Sequence, residues 1–205
     1  MLVSNIVKTK SKLEASLKNS SFLRSPLPYF RSYLASSVAL LLSCQQKPSY
    51  HFESTNGEIL IQQRSDTTYR IASINQQGDS TFWELPYPVY QCKVADINGD
   101  GSKEVIVGVI KPTRFDSVTR KRVFVYKQVE DVIRPLWLGS RLGMPLEDFS
   151  VMETETGNRL FTIEQEAERG FAVGEYEWDR FGFKLIRYVI RNCSFREAKS
   201  HLNAP

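Results

Sequence analysis

Residues 53–192 predict an all-β domain. Short runs rich in β-branched and aromatic residues follow one another closely, turn residues punctuate them, and no long stretch repeats its apolar residues with a 3.6-residue period. That pattern builds propeller-like antiparallel blades (a partial propeller) or a β-sandwich. The predicted strands, in chain order, are Glu58–Gln62, Tyr69–Ile74, Thr81–Leu85, Val89–Ala95, Glu104–Ile110, Arg122–Lys127, Ile133–Leu138, Phe149–Glu153, Arg159–Ile163, Phe171–Trp178 and Phe183–Val189. Turn chemistry separates them: Asn56-Gly57, Gln77-Gly78-Asp79, Pro86, Asn98-Gly99, Gly157-Asn158, Arg169-Gly170 and Phe181-Gly182.

A faint internal repeat accompanies the strands. Arg122-Val123-Phe124 leads to Gln128, Trp137, Arg141 and Gly143; Arg159-Leu160-Phe161 leads to Gln165, Trp178, Arg180 and Gly182. Propeller blades take about 40–45 residues each, so a closed ring of usual size does not fit this length. Two or three blade-like sheets packed together are expected, or a sandwich carrying one such hairpin. An open arrangement leaves edges to cover, and the tail 193–205 is the expected cover for one.

The densest chemistry lies in Asp96-Ile97-Asn98-Gly99-Asp100-Gly101-Ser102-Lys103-Glu104. Oxygen-bearing side chains stand at every second position, with two turn glycines among them and a carboxylate at the end. A hard cation such as Ca²⁺ takes six to eight oxygen ligands, and a peptide supplies them in this way. The flanks, Tyr90–Ala95 and Val105–Ile110, are β-forming and too short for EF-hand helices. An EF-hand also needs Glu at its twelfth position; counting from Asp96, that position is Val107. A plain hairpin turn is the competing reading of Asn-Gly-Asp-Gly.

This strand-loop-strand pattern, D-x-N-G-D-G-x-x-E before a Val/Ile run, resembles the FG-GAP/VCBS-type repeat of integrin-like β-propellers. The resemblance implies a calcium site in a blade hairpin. Asp96, Asn98 and Asp100 would give side-chain oxygens, Ser102 its carbonyl and Glu104 its carboxylate. The family's usual residue at the last position is Asp, so Glu104 is a departure.

The front of the chain reads as an export signal, residues 1–43. Lys8, Lys10, Lys12, Lys18, Arg24 and Arg31 precede the apolar run Tyr33–Ser43, which is shorter than the about 20 residues a bilayer-spanning helix needs. Leu41-Leu42-Ser43-Cys44 resembles a bacterial lipoprotein lipobox, which implies a lipid on Cys44. Gln45 in place of Asp then favours an outer-membrane anchor on the periplasmic or cell-surface face. Signals run about 15–30 residues, so a start downstream of Met1, near Leu23 or Leu27, is expected from a non-Met codon. A cleaved signal without lipid and a Ser-rich basic transit peptide are the alternatives. Residues 44–52 form the lipidated Cys and a polar tether.

The segment before Cys44 holds six basic residues and one acid, which leaves 21 basic against 22 acidic residues in the rest. The alkaline isoelectric point therefore belongs to the signal, and no nucleic-acid partner is expected. Arg114, Arg120, Lys121 and Arg122 cluster on a predicted loop, read as a solvated surface or an anion-binding patch.

No catalytic motif is present in the sequence. His51 and His201 lie near the ends of the mature chain, read as surface residues, and there is no G-x-S-x-G, Walker loop or dinucleotide fingerprint. Carboxylates such as Glu147, Asp148, Glu175 and Asp179 could still meet in space. Cys92 and Cys193 read as a disulfide or as two small buried hydrophobes. Trp83, Tyr87, Tyr90, Trp137, Tyr176, Trp178, Phe181 and Phe183 read as core, or as an exposed row for a glycan or protein. Pro86-Tyr87-Pro88 and Gly139–Pro145 are the expected exposed loops.

The expected function is a lipid-anchored envelope protein with a structural Ca²⁺ site, a binding or structural module for a protein or glycan. An envelope hydrolase on glycans or phosphoesters with a carboxylate-lined pocket is the rival. A structural subunit of an envelope complex is the third reading.

Overall fold

Among the described residues a four-strand antiparallel meander occurs three times. A computed structural model describes residues 49–54, 57–114, 116–139, 142–166 and 170–203. The first meander is β1 (Ser49–Ser54), β2 (Gly57–Gln63), β3 (Tyr69–Asn75) and β4 (Ser80–Leu85). The second is β5 (Val89–Ala95), β6 (Glu104–Thr113), β7 (Asp116–Val129) and β8 (Val132–Trp137), and the third is β9 (Leu146–Thr154), β10 (Gly157–Gln165), β11 (Phe171–Asp179) and β12 (Gly182–Cys193). The first forms its own sheet. The second and third are joined into one eight-stranded sheet through a single residue pair, Lys121 with Leu146. The architecture is all-β and sandwich-like, as the sequence predicts.

Alternation along β6 explains the layering. Glu104 to Val109 are all buried, so this strand is covered on both faces, as a near-continuous apolar run requires. Val105, Val107 and Val109 join Phe124 and Tyr126 of β7 in a core with Ile59, Ile61, Tyr69, Ile71 and Leu85 of the first meander. Ile106, on the opposite face, joins Val123 and Val125 with Phe149, Leu160 and Tyr176 of the third. The second meander is thus the filling between the other two. Its edge strand β8 pairs only with β7, which is where Pro135 can sit without costing a ladder hydrogen bond.

A third, smaller core lies on the far face of β10 and β11. Ile163, Val173 and Cys193 pack there against Ala198 and Leu202 of α1 (Phe195–Leu202). Ser194 caps this helix. Its hydroxyl accepts from Glu197 N, and the Glu197 carboxylate accepts from Ser194 N at 2.8 Å. The segment expected as a tail is therefore a helix, and it covers a sheet face where an edge was expected.

Three more expectations are corrected. The tether expected over 44–52 contains most of β1, because Tyr50 and Phe52 alternate inward onto the first core and stack on each other. Arg120, Lys121 and Arg122 stand on a strand, since β7 starts at Asp116 and forms a long hairpin arm with β6. The internal repeat matches strands that are not equivalent: Arg122–Phe124 lies on the third strand of its meander, Arg159–Phe161 on the second of its own. What the repeat does share is a destination. Trp137 and Trp178 both meet Phe183 edge-on, at 5.1 and 5.3 Å between ring centroids.

Cys92 and Cys193 are free thiols in separate cores. Most of the named aromatics are core or pack against it; Phe181, at a hairpin tip, is 87% exposed. The predicted signal, its start site and Cys44 lie outside the described residues.

Candidate functional site

The β5–β6 loop is built by its own short side chains. Asp96 Oδ1 accepts from the backbone N–H of Gly99 (2.8 Å) and Asp100 (3.1 Å), and its Oδ2 accepts from Gly101 N (2.8 Å). Asn98 Oδ1 accepts from Asp100 N, and Asp100 Oδ1 from Ser102 N. These are nested Asx turns, and each acidic or amide side chain replaces a backbone acceptor that a tight bend cannot supply. Gly99 and Gly101 take φ of +75° and +86°, which residues with a Cβ rarely adopt.

Glu104 is the buried member of the group. It is the first residue of β6, paired with Ala95 across the hairpin, and is fully shielded from solvent. Its Oε2 accepts from Ile97 N at 3.0 Å, and its Oε1 from Asn98 Nδ2 at 3.1 Å. The same Asn98 nitrogen donates to Asp100 Oδ2 at 2.9 Å. Two carboxylates from opposite arms of the loop therefore converge on one donor. Lys127, from β7, adds its ammonium to Asp100.

The electrostatics follow from this placement. Burial pushes the Glu104 carboxyl up to about 7, and the neighbouring Asp100 charge adds to the rise. Asp100 is pulled down to about 2, mainly by its hydrogen bond from Lys127. The loop thus holds one carboxylate that ionises readily and one that resists ionisation because it is buried.

Each residue proposed as a ligand is thereby located. Asp96, Asn98, Asp100 and Glu104 are tied into one network; Ser102 joins it through its N–H. Among the described residues, no three His, Cys, Asp or Glu side chains stand together at metal-holding geometry. Asn98 presents nitrogen to the two carboxylates and uses its oxygen on Asp100 N. The donor set is nonetheless all oxygen apart from that amide, as a hard cation requires.

Two partners of the loop have no local sequence signal. Lys127 lies 27 residues away, and Asn158, which donates to Asp96 O at 3.0 Å, lies 62 away. Ile97 anchors the loop from below, buried in the core shared with the third meander. The loop is therefore fastened to β7, to the start of β10 and to the core between them.

The carboxylates that could have formed a hydrolytic site are engaged separately. Lys121 holds Glu147, Lys199 holds Asp148, Arg159 and Arg187 hold Glu175, and Arg180 faces Asp179. His51 faces Glu58 across the β1–β2 ladder at 3.2 Å, both exposed. Comparison with known protein families, characterised proteins and solved structures finds no match to this chain.

Proposed function

We propose that the chain is a lipid-anchored protein of a bacterial cell envelope whose β5–β6 loop binds Ca²⁺, and that it works as a binding or structural module. The convergence of Asp100 and Glu104 on a single donor position carries the metal reading. Two carboxylates brought that close repel one another, and a divalent cation converts the repulsion into ligation, adding binding energy to folding energy. The resemblance to FG-GAP/VCBS-type loops supports the same assignment. Asp96, Asn98, Asp100, Ser102 and Glu104 would hold the ion, with Asn98 turning its oxygen inward. Because the loop is fastened to β7 and β10, the ion would brace the junction of the second and third meanders.

Calorimetric titration with CaCl₂ and melting in calcium against chelator test this. Asp100→Ala should lower the melting temperature several degrees more in calcium than in chelator, since without the ion Asp100 contributes a partly exposed ion pair and two exposed hydrogen bonds, from Ser102 N and Asn98 Nδ2. Identical wild-type melting curves in the two buffers would refute a stabilising metal. The anchor has its own test. Cys44→Ser should abolish incorporation of radiolabelled fatty acid and release the protein from the membrane fraction; unchanged labelling would remove the anchor from the proposal.

A further inference from the structure

A second feature, sharing no residue with the calcium loop, lies where β7 outruns β8. Between the first half of β7 and the segment after β8 is a cavity of about 540 Å³. That is within the range of small-molecule pockets. Arg120, Lys121 and Arg122 line one side, and Asp116 is the one carboxylate among the lining residues. Trp137, Leu142 and Met144 line the other.

The cations differ in what they have left to give. Arg122 donates to Asp116 Oδ2 at 2.7 Å, and that bond holds the Asp116 carboxyl below its usual range. Lys121 donates to the Glu147 carbonyl at 2.7 Å and lies 3.2 Å from its carboxylate. Arg120 is otherwise. Its Nε lies 3.3 Å from Asp116 Oδ2, yet is shielded from solvent and makes no hydrogen bond among the described residues. A guanidinium carries five donors in a fixed fork suited to carboxylate and phosphate oxygens. Asp116 accepts a hydrogen bond from Arg122 and is only an ion-pair partner of Arg120, so the Arg120 fork keeps donors for a further oxyanion.

The apolar wall is held in place from behind. Glu164, fully buried on β10, accepts from Met144 N at 2.8 Å, and Tyr176 OH accepts from Gly143 N at 2.8 Å. A side chain at Gly143 would meet the Tyr188 hydroxyl at 2.3 Å, so the segment must pass this close as glycine. Gly143 and Met144 are held in place before any ligand arrives, which lowers the cost of binding.

We propose that this cavity binds a small organic oxyanion: a carboxylate or phosphate ester whose charged head sits on Arg120 and whose ring or short apolar body lies against Trp137, Leu142 and Met144. The opposed cationic and apolar walls select both parts at once. A neutral ring loses the head contact, and an inorganic anion loses the body contact.

Phenyl phosphate, benzoate and benzyl alcohol are the probes, followed by the indole N–H resonance of Trp137, identified by its loss in Trp137→Phe. Both anions should shift that resonance saturably at millimolar concentration and bind about tenfold or more tighter than the alcohol. Arg120→Gln should weaken phenyl phosphate about tenfold or more and leave benzyl alcohol unchanged. Leu142→Asp, which sets a negative charge on the facing wall, should weaken phenyl phosphate more than benzyl alcohol and serves if Arg120→Gln fails to fold. Equal affinity for alcohol and anions, no saturable shift, or full affinity in a folded Arg120→Gln or Leu142→Asp protein would overturn the proposal. Chelator and calcium buffers should give the same affinities, which keeps this test separate from that of the metal loop.

Discussion

In chelator, the protein is expected to lose about 3 kcal/mol of stability as pH rises from about 4.5 to about 7 and above, and Glu104→Gln should abolish most of that slope. The cause is the Glu104 carboxyl, raised to about 7 by burial. A carboxyl with a raised folded value holds its proton more tightly folded than unfolded. Below the unfolded value both states are protonated and there is no penalty. Between the two values the folded state binds more protons, so stability falls as pH rises. Above about 7 the whole penalty is present. Asp100 does not mask the effect, because its own titration lies far lower, near 2.

Calcium should act in the opposite sense on the same group. The ion competes with the Glu104 proton, so its affinity should climb with pH up to about 7 and then level off. At a hundred times its dissociation constant it adds about 2.7 kcal/mol. The loss seen in chelator should therefore be largely reversed above neutral pH and little affected at pH 5. Urea unfolding across this pH range, with and without calcium, reads both effects. A Glu104→Gln protein with the wild-type slope in chelator would show that another group is titrating. A wild type whose slope ignores calcium would separate Glu104 from any metal.

Most of the scaffold was legible because its signals are local. Each strand from β2 to β12 lies on a run of β-forming residues bounded by turn residues, and those contacts are decided within one hairpin. β1 escaped because its inward pair, Tyr50 and Phe52, alternates with polar His51 and Glu53 and was too short to stand out from the polar stretch before it. α1 escaped because it spans only Phe195–Leu202, although Ser194-x-x-Glu197 is a capping box that can be read directly. The start of β7 reads as loop because Asp116 to Arg120 extend beyond the packed layers, where no alternation is needed. The Asx turns of the β5–β6 loop were legible for the same local reason. Its braces, Lys127 and Asn158, depend on how the meanders stack, as does the cavity beside Arg120. No periodicity within one strand records that stacking.

Glu164→Ala should be the most damaging single change outside the hydrophobic cores, costing about 3 kcal/mol or more. Four donors fill the lone-pair directions of this buried carboxylate. Thr162 Oγ1 and Tyr176 OH donate to Oε1 at 2.8 and 2.6 Å, while Met144 N and Tyr188 OH donate to Oε2 at 2.8 and 3.2 Å. Alanine leaves these donors without their acceptor. Met144 N is the worst placed, because a backbone N–H cannot rotate toward another. Glu164→Gln should cost less, since one oxygen remains and the Tyr188 hydroxyl can turn to accept. A chain of this size shifts its melting temperature by about 2–4 °C per kcal/mol, so Glu164→Ala should melt about 6–12 °C lower. Tyr176→Phe provides the control on mechanism. If the two side chains act as one unit, the double variant should be less unstable than the sum of the singles, with a coupling of about 1 kcal/mol or more. Strict additivity would show that Glu164 and Tyr176 act independently. A Glu164→Ala protein as stable as wild type would mean that the segment forming the cavity's apolar wall is held by other contacts.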